Sequence, residues 1–431
     1  MRDPAKVDEF KGPSLRSLIR RPIRKLCASM SDLDAWWAGY AISVPGFAGS
    51  WLGFLYFGAG IWAVVSVLLR RFPICIPVRS RFFAGSCVGY ALVLFFASVA
   101  NDGLEGVTPG LAAGAAFYFV PFLYSRLVVS SPRRSIDTML QYAPLGALMC
   151  LVIALYQLFL QSKSIEGGAG NPSVFGYVSA ILGAISYNGI KSLKDIKGFI
   201  SIVGFVAGMC ALLFSGTRTL YPFVAFIPLM HYFLTSERSV TFRFGTALFP
   251  IALVVILLAT FSGKILHDVS MSVEEIAQIG GEPSTGSLGI RLELWKAGIA
   301  SIAEAPWLGH GQLHKMDGVN SRLPDIISYT RFSHAHNIFI DNSLSGGIFA
   351  VIFLLFVLFS PLFMIWHISF NDPEVRIKYC VFMIVLISIS NGLLNVLFTH
   401  DIVSALFLFT IVVLGAGVGF AEKSEDLQTL V

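Results

Sequence analysis

Apolar runs long enough to cross a bilayer recur along the whole chain, and nothing else constrains its fold as tightly. About 20 mostly apolar residues span a hydrocarbon core. Such windows fall at about 36–50, 52–69, 82–99, 109–129, 138–160, 174–190, 198–214, 219–234, 243–262, 336–366, 379–397 and 402–420. Of the 431 residues, 55% are hydrophobic and only 13% charged, against roughly 25% charged in soluble domains. That composition excludes a water-soluble enzyme. Forty glycines suit the close helix contacts found in bilayers. The sequence therefore predicts an all-α polytopic membrane protein with about twelve transmembrane helices.

Basic residues set the expected orientation, because cytoplasmic loops carry the excess of Lys and Arg. With the N-terminus inside, the inner side holds the eight basic residues of the tail, among them Arg16, Arg20, Arg21, Arg24 and Lys25. It also holds Arg70, Arg71, Arg79, Arg81, Arg126, Arg133, Arg134, Lys191, Lys194, Lys197, Arg238, Arg243, Arg376, Lys378 and Lys423. The short outer loops hold only Lys163 and Arg218. The expected organisation is a basic cytoplasmic tail over 1–35, helices one to nine over 36–262, and an outer loop over 263–335. Helices ten to twelve follow over 336–420, with a second cytoplasmic tail over 421–431. The first 30 or so residues lack the apolar core of a signal peptide and suit contact with anionic lipid.

The outer loop is far longer than ordinary connections, which makes it the first place to look for function. Ser272–Ile279 is acidic, with Glu274 and Glu275. Ile290–Ile302 places Leu294, Trp295, Ala297, Gly298, Ile299 and Ile302 among polar positions, the pattern of an amphipathic helix lying on the membrane. Cys27 and Cys75 read as cytoplasmic, and Cys87, Cys150, Cys210 and Cys380 lie in or beside spans, so no disulfide is expected in the loop. Phosphate-loop and dinucleotide glycine motifs are absent, and no nucleic-acid partner is expected.

Three clusters stand apart from packing. Arg218 lies in Ser215-Gly216-Thr217-Arg218-Thr219 at the outer end of a span, where a guanidinium costs a few kcal/mol. It reads either as an arginine snorkelling to headgroups or as an anion site, with Ser215, Thr217 and Thr219 adding hydroxyls and a helix start adding N–H groups. The second cluster runs Arg291-Leu292-Glu293-Leu294-Trp295, then Pro306-Trp307-Leu308-Gly309-His310-Gly311. Taken alone, Arg291 is equally a solvated arginine on a surface helix, paired with Glu293. Trp295 and Trp307 are interfacial anchors more readily than sugar-stacking platforms. The third cluster is His334-Ala335-His336-Asn337, with Asp341, Asn342, Gly346 and Gly347 in the span that follows. Its His-x-His pair, with His310 and His314, admits a metal reading, but no acidic ligand stands at matching spacing. A neutral imidazole accepting a proton fits better, with His336 as general base.

Together these residues resemble the bacterial O-antigen ligase and polymerase superfamily. The matching features are the Ser-Gly-Thr-Arg turn, the Arg-Leu-x-Leu-Trp…Pro-Trp-Leu-Gly-x-Gly stretch, and His-Asn opening a long span. The resemblance covers about residues 200–360. It implies a membrane glycosyltransferase of the GT-C type in the bacterial inner membrane, with both termini cytoplasmic and the active site facing the periplasm. The donor it implies is O-antigen on undecaprenyl diphosphate, and in the ligase branch the acceptor is lipid A–core. Arg218 and Arg291 then correspond to the functional arginines and His336 to the catalytic histidine; Ser215, Thr217 and Asn337 stand near the diphosphate. Two arginines stabilise a leaving diphosphate without a metal, so neither metal nor other cofactor is expected, and direct displacement implies inversion. An O-antigen polymerase or a protein O-oligosaccharyltransferase shares the motifs. A transporter of a lipid-linked anion would instead place ionisable groups near mid-span on broken helices.

Overall fold

The structure is a computed structural model that describes residues 31–161, 164–190, 195–234, 240–260, 270, 286–328, 330–369, 374–395 and 397–418. The basic tail over 1–30, the acidic stretch Ser272–Ile279 and residues 419–431 lie outside the described residues. Among the described residues the regular structure is entirely helical.

The principal helices are α1 (31–43), α2 (Trp51–Leu68), α3 (Arg81–Asp102), α4 (Val107–Tyr118), α5 (Val120–Val129), α6 (Pro132–Tyr156) and α7 (Pro172–Tyr187). They continue with α8 (Ile196–Ser215), α9 (Phe223–Leu234), α10 (Val240–Thr260), α11 (Ser287–Glu304), α12 (Ile338–Ile365), α13 (Val375–Leu394) and α14 (Asp401–Gly417). Among the described residues, seven segments are long and apolar enough to cross a membrane: Trp51–Leu68, Val78–Asp102, Val107–Val129, Pro132–Gln161, Ile196–Ser215, Ile338–Ile365 and Val375–Leu394. Each of the other expected windows also holds a helix, α1, α7, α9, α10 or α14, all but α10 shorter than 18 residues. The first window, expected over 36–50, is helical only to residue 43, and Val44–Ser50 turns over itself, with Phe47 and Ala48 donating N–H bonds to the Val44 carbonyl. Pro45 and Gly46 account for the break.

Two short helices form the centre. Nearly every residue of α7 and α14 is buried, as expected of helices that are apolar all round. Local signals fix the ends of α7 and α8. Asn171 caps α7, its Oδ1 accepting N–H bonds from Ser173 (2.9 Å) and Val174 (3.3 Å), with Pro172 at the first helical position. Gly216, at φ 75°, ends α8 in the left-handed conformation that glycine adopts without penalty.

The long connection has its own small core. Leu294 and Ala297 of α11 pack with Met316, Val319, Leu323, Ile327, Ala335 and Leu344. The apolar face expected to lie on lipid is therefore spent largely on protein. Trp307–Gly309 then wedges into α12. Gly346 (φ −146°, ψ 19°) and Gly347 (φ 63°, ψ −157°) break the helix there. The Ile348 N–H bonds the Pro306 carbonyl at 2.9 Å, and the His310 N–H bonds the Leu344 carbonyl at 2.7 Å. A Cβ at Gly347 would lie 2.1 Å from the Trp307 carbonyl oxygen, which requires glycine.

Candidate functional site

Six helix ends converge at one end of the bundle on a cavity of about 470 Å³. The starts of α7, α11 and α14, the segment entering α12, and the ends of α8 and α13 all contribute. Four helix N-termini at one spot present positive partial charge to whatever occupies it, and those of α11 and α14 carry no side-chain cap. Arg218, Arg291, His334, His336 and His400 all line the cavity, and no Asp or Glu is among its described lining residues.

Arg218 begins a 3-10 turn directly after Gly216. Two of the hydroxyls expected to bind beside it, those of Ser215 and Thr217, brace the turn instead. Ser215 Oγ donates to the Leu212 carbonyl (2.7 Å) and shares a 2.8 Å hydrogen bond with Thr217 Oγ1, and Thr217 Oγ1 also reaches the Pro172 carbonyl at 3.0 Å. Gly176 lets α7 approach this closely, since a Cβ there would sit 2.2 Å from Thr217 Oγ1. Thr217 lines the cavity and Ser215 does not.

Arg291 projects from the second turn of α11, which begins at Ser287 rather than at the arginine. Glu293 bonds Lys296 at 2.6 Å. Trp295 ties this helix to the histidine segment: its Nε1–H donates to the Ala335 carbonyl at 3.1 Å.

That contact belongs to a clamp around His336. The Ala335 N–H donates to Asp341 Oδ1 at 3.2 Å, while Asp341 Oδ2 accepts from Lys315 Nζ at 2.8 Å in a buried ion pair. On the other side, Asn337 caps α12, accepting N–H bonds from Phe339 and Ile340, and its Nδ2 donates to the Leu393 carbonyl at 3.0 Å. Asn337, expected near the diphosphate, is thus used at both ends of its amide and is not part of the cavity lining. Between these clamps His336 stands at φ 50°, a conformation uncommon for side chains other than Asn, Asp and His.

The imidazoles sit close, with the His334 and His336 rings 4.2 Å apart between centroids. Burial, then the neighbouring His334 and Arg291, pushes the His336 pKa down to about 3. Burial lowers His334 and His400 as well. All three are therefore neutral near pH 7. Ser173 Oγ, Thr219 Oγ1 and His334 Nδ1 are buried without a hydrogen-bond partner, and all three residues line this one cavity. Each such atom costs about 1–3 kcal/mol when left unpartnered, and the three gather at this one cavity. Ser173 and His400 escaped the sequence reading. The other candidate metal ligands turn elsewhere: His310 bonds Ser301, His314 bonds Asp317, and Asp341 bonds Lys315. Among the described residues no three His, Cys, Asp or Glu converge as metal ligands.

A helical bundle with seven membrane-capable helices among the described residues and a cavity at one end lined by arginines and imidazoles is consistent with a polytopic membrane protein. Residues 203–355, which contain Arg218, Arg291 and His336, match the family model described as O-antigen ligase. Over those residues the chain is similar to that family. Comparison with curated proteins gives no match.

Proposed function

We propose that the protein is an O-antigen ligase that moves O-antigen from undecaprenyl diphosphate to lipid A–core at the periplasmic face of the inner membrane. The observation that carries this reading is the single cavity joining Arg218, Arg291 and His336, which lie far apart in sequence, with no described acidic group to oppose an anion. In this reading about twelve helices cross the membrane in a GT-C arrangement, both termini are cytoplasmic, and residues 263–335 are periplasmic.

The two guanidiniums and the helix N-termini hold the diphosphate and stabilise the charge that grows on it as it leaves. The acceptor hydroxyl oxygen forms a bond to the anomeric carbon while the carbon–oxygen bond to the diphosphate breaks. The electron pair departs with the diphosphate, and the hydroxyl proton passes to the His336 imidazole. Attack opposite the leaving group inverts the anomeric centre. His336 is a weak base in the empty cavity, held down by burial, His334 and Arg291. A bound diphosphate brings negative charge beside it, which favours the protonated imidazole and strengthens the base when the acceptor is in place.

The test is reconstitution of purified protein with lipid-linked O-antigen and lipid A–core, without ATP or metal. Glycosylated lipid A–core is expected. Lengthening of the donor glycan alone would favour the polymerase, and transfer to protein the oligosaccharyltransferase. Arg218→Lys and Arg291→Lys keep charge but lose the bidentate fork, so each should cut transfer strongly in protein that still expresses. Near-normal ligation by Arg291→Lys would return that residue to a solvated surface position.

A further inference from the structure

A second cavity, of about 380 Å³, backs onto the first. The two share walls. In one chain segment Thr399 and Asp401 line the second cavity while His400, between them, lines the first. In another, His334 and His336 line the first and Asp341 and Asn342 the second. The Asp341 carboxylate spans this partition, since it accepts the N–H of Ala335, the residue between the two histidines.

The two cavities differ in charge. The first has two arginines and no described acid. In the second the only described cation, Lys315, is neutralised by Asp341 at 2.8 Å, which leaves the exposed Asp401 carboxylate unbalanced. A phosphate is repelled from such a space. The rest of its wall combines aromatic rings, including Phe57, Tyr90 and Phe398, with the amide of Gln312. No hydrogen bond occupies the Gln312 side chain among the described residues, whose bond to Ser98 uses the backbone N–H. Aromatic faces with a few fixed polar groups, in a space of roughly 300–1,000 Å³, are the make-up of a small-molecule site. Ring faces accept the C–H faces of a sugar, and the carboxylate and amide accept and donate to its hydroxyls.

We propose that the second cavity seats the acceptor end, a neutral saccharide whose nucleophilic hydroxyl reaches across the partition to His336. This rests on the transfer reading of the first cavity and adds to it a separate acceptor subsite.

Binding to the full-length protein in lipid nanodiscs separates the two claims. Maltotriose, a neutral saccharide, probes the second cavity by saturation-transfer NMR, and inorganic pyrophosphate probes the first by phosphorus NMR. Ala112 is an exposed residue of α4 on the wall of the second cavity, so Ala112→Trp fills that space from outside the core. It should weaken maltotriose binding by about tenfold or more and leave pyrophosphate binding unchanged. Gln312→Ala should weaken maltotriose in the same direction. Arg218→Ala should do the reverse, losing pyrophosphate and keeping maltotriose. Wild-type protein that binds no maltotriose, or maltotriose binding indifferent to Ala112→Trp, would overturn the acceptor site. Absence of pyrophosphate binding to wild type counts against the donor reading alone, and the saccharide measurements then still decide this one.

Discussion

The backbone at His336 occupies a region that costs a non-glycine residue about 1–3 kcal/mol and persists only where surroundings hold it. Trp295, Asp341 and Asn337 do the holding. Trp295→Phe keeps the ring but removes the donor to Ala335, so it should lower kcat about 5–10-fold, the worth of one hydrogen bond, with donor KM unchanged. His336→Ala should cost about 10²–10⁴-fold while donor binding survives. His334→Ala should be milder, and exhaustive EDTA should leave the wild type active. Equal loss in both histidine variants, with activity restored to chelated enzyme by Zn²⁺ or Mg²⁺, would instead assign the pair to a metal. The pH dependence is equally specific. With its pKa near 3, His336 is neutral in the free enzyme over roughly pH 5 to 8, so kcat/KM, which reports the free enzyme, should be flat there. An acid limb near 6.5 in kcat/KM would contradict the buried geometry. Because unfolded histidine takes up its proton near 6.5 and these folded imidazoles resist it, the folded state binds fewer protons below that pH. Stability should therefore fall as the pH drops below about 6.5, as read by thermal unfolding in detergent.

Among the elements, α12 departs furthest from a plain membrane helix. Its break divides a short polar cap, which carries Asp341, Asn342 and Ser345, from an apolar run over 348–365. That run is 18 residues, about 27 Å, close to a bilayer core. Gly347→Ala adds a Cβ 2.1 Å from the Trp307 carbonyl oxygen at a positive φ, so it should lower stability by about 1–3 kcal/mol and drop the thermal midpoint. Gly58→Ala, where a Cβ meets nothing within 4 Å, should be neutral or mildly stabilising. The apolar run of α12 was legible from its residues, as were the presence of an amphipathic helix around Ile290–Ile302 and the individual promise of Arg218 and His336, whereas the start of α11 at Ser287 was not. The break was not, because Gly346-Gly347 in an apolar run equally suits close helix packing. Nor was Trp295's role, since its partner is a backbone carbonyl forty residues further on, and backbone partners leave no residue pattern. Ser215 and Asn337 were found for their polarity, but that polarity serves the turn and the cap. The second cavity escaped because its wall joins α2, α3, α4, the long connection and the starts of α12 and α14, and of these residues only Asp341 and Asn342 stood out in the sequence.

At the scale of the whole molecule, the proposed orientation, drawn from the basic-residue asymmetry, puts the cavity end outside. A cysteine introduced at Gly281 should react with a membrane-impermeant maleimide in intact spheroplasts. Cys75, the one described cysteine that is not buried, lies on the expected inner side and should react only after lysis. The opposite pattern would invert the molecule and move the transfer reaction to the cytoplasm. At the far end from the cavity, Asp34 and Arg126 form a buried ion pair at 2.6 Å, which ties α1 to α5. Removing either partner should cost about 3–5 kcal/mol without touching the transfer chemistry. The wedge at the α12 break has a consequence in time. The Leu344 carbonyl and the Ile348 N–H are satisfied by His310 and Pro306, which the ribosome delivers before α12 itself. In an unbroken helix those two groups, four residues apart, would bond each other, so the wedge replaces one helical bond with two bonds to the preceding connection. Translation makes the wedge before the helix it opens, so the two replacement partners are already present when α12 forms.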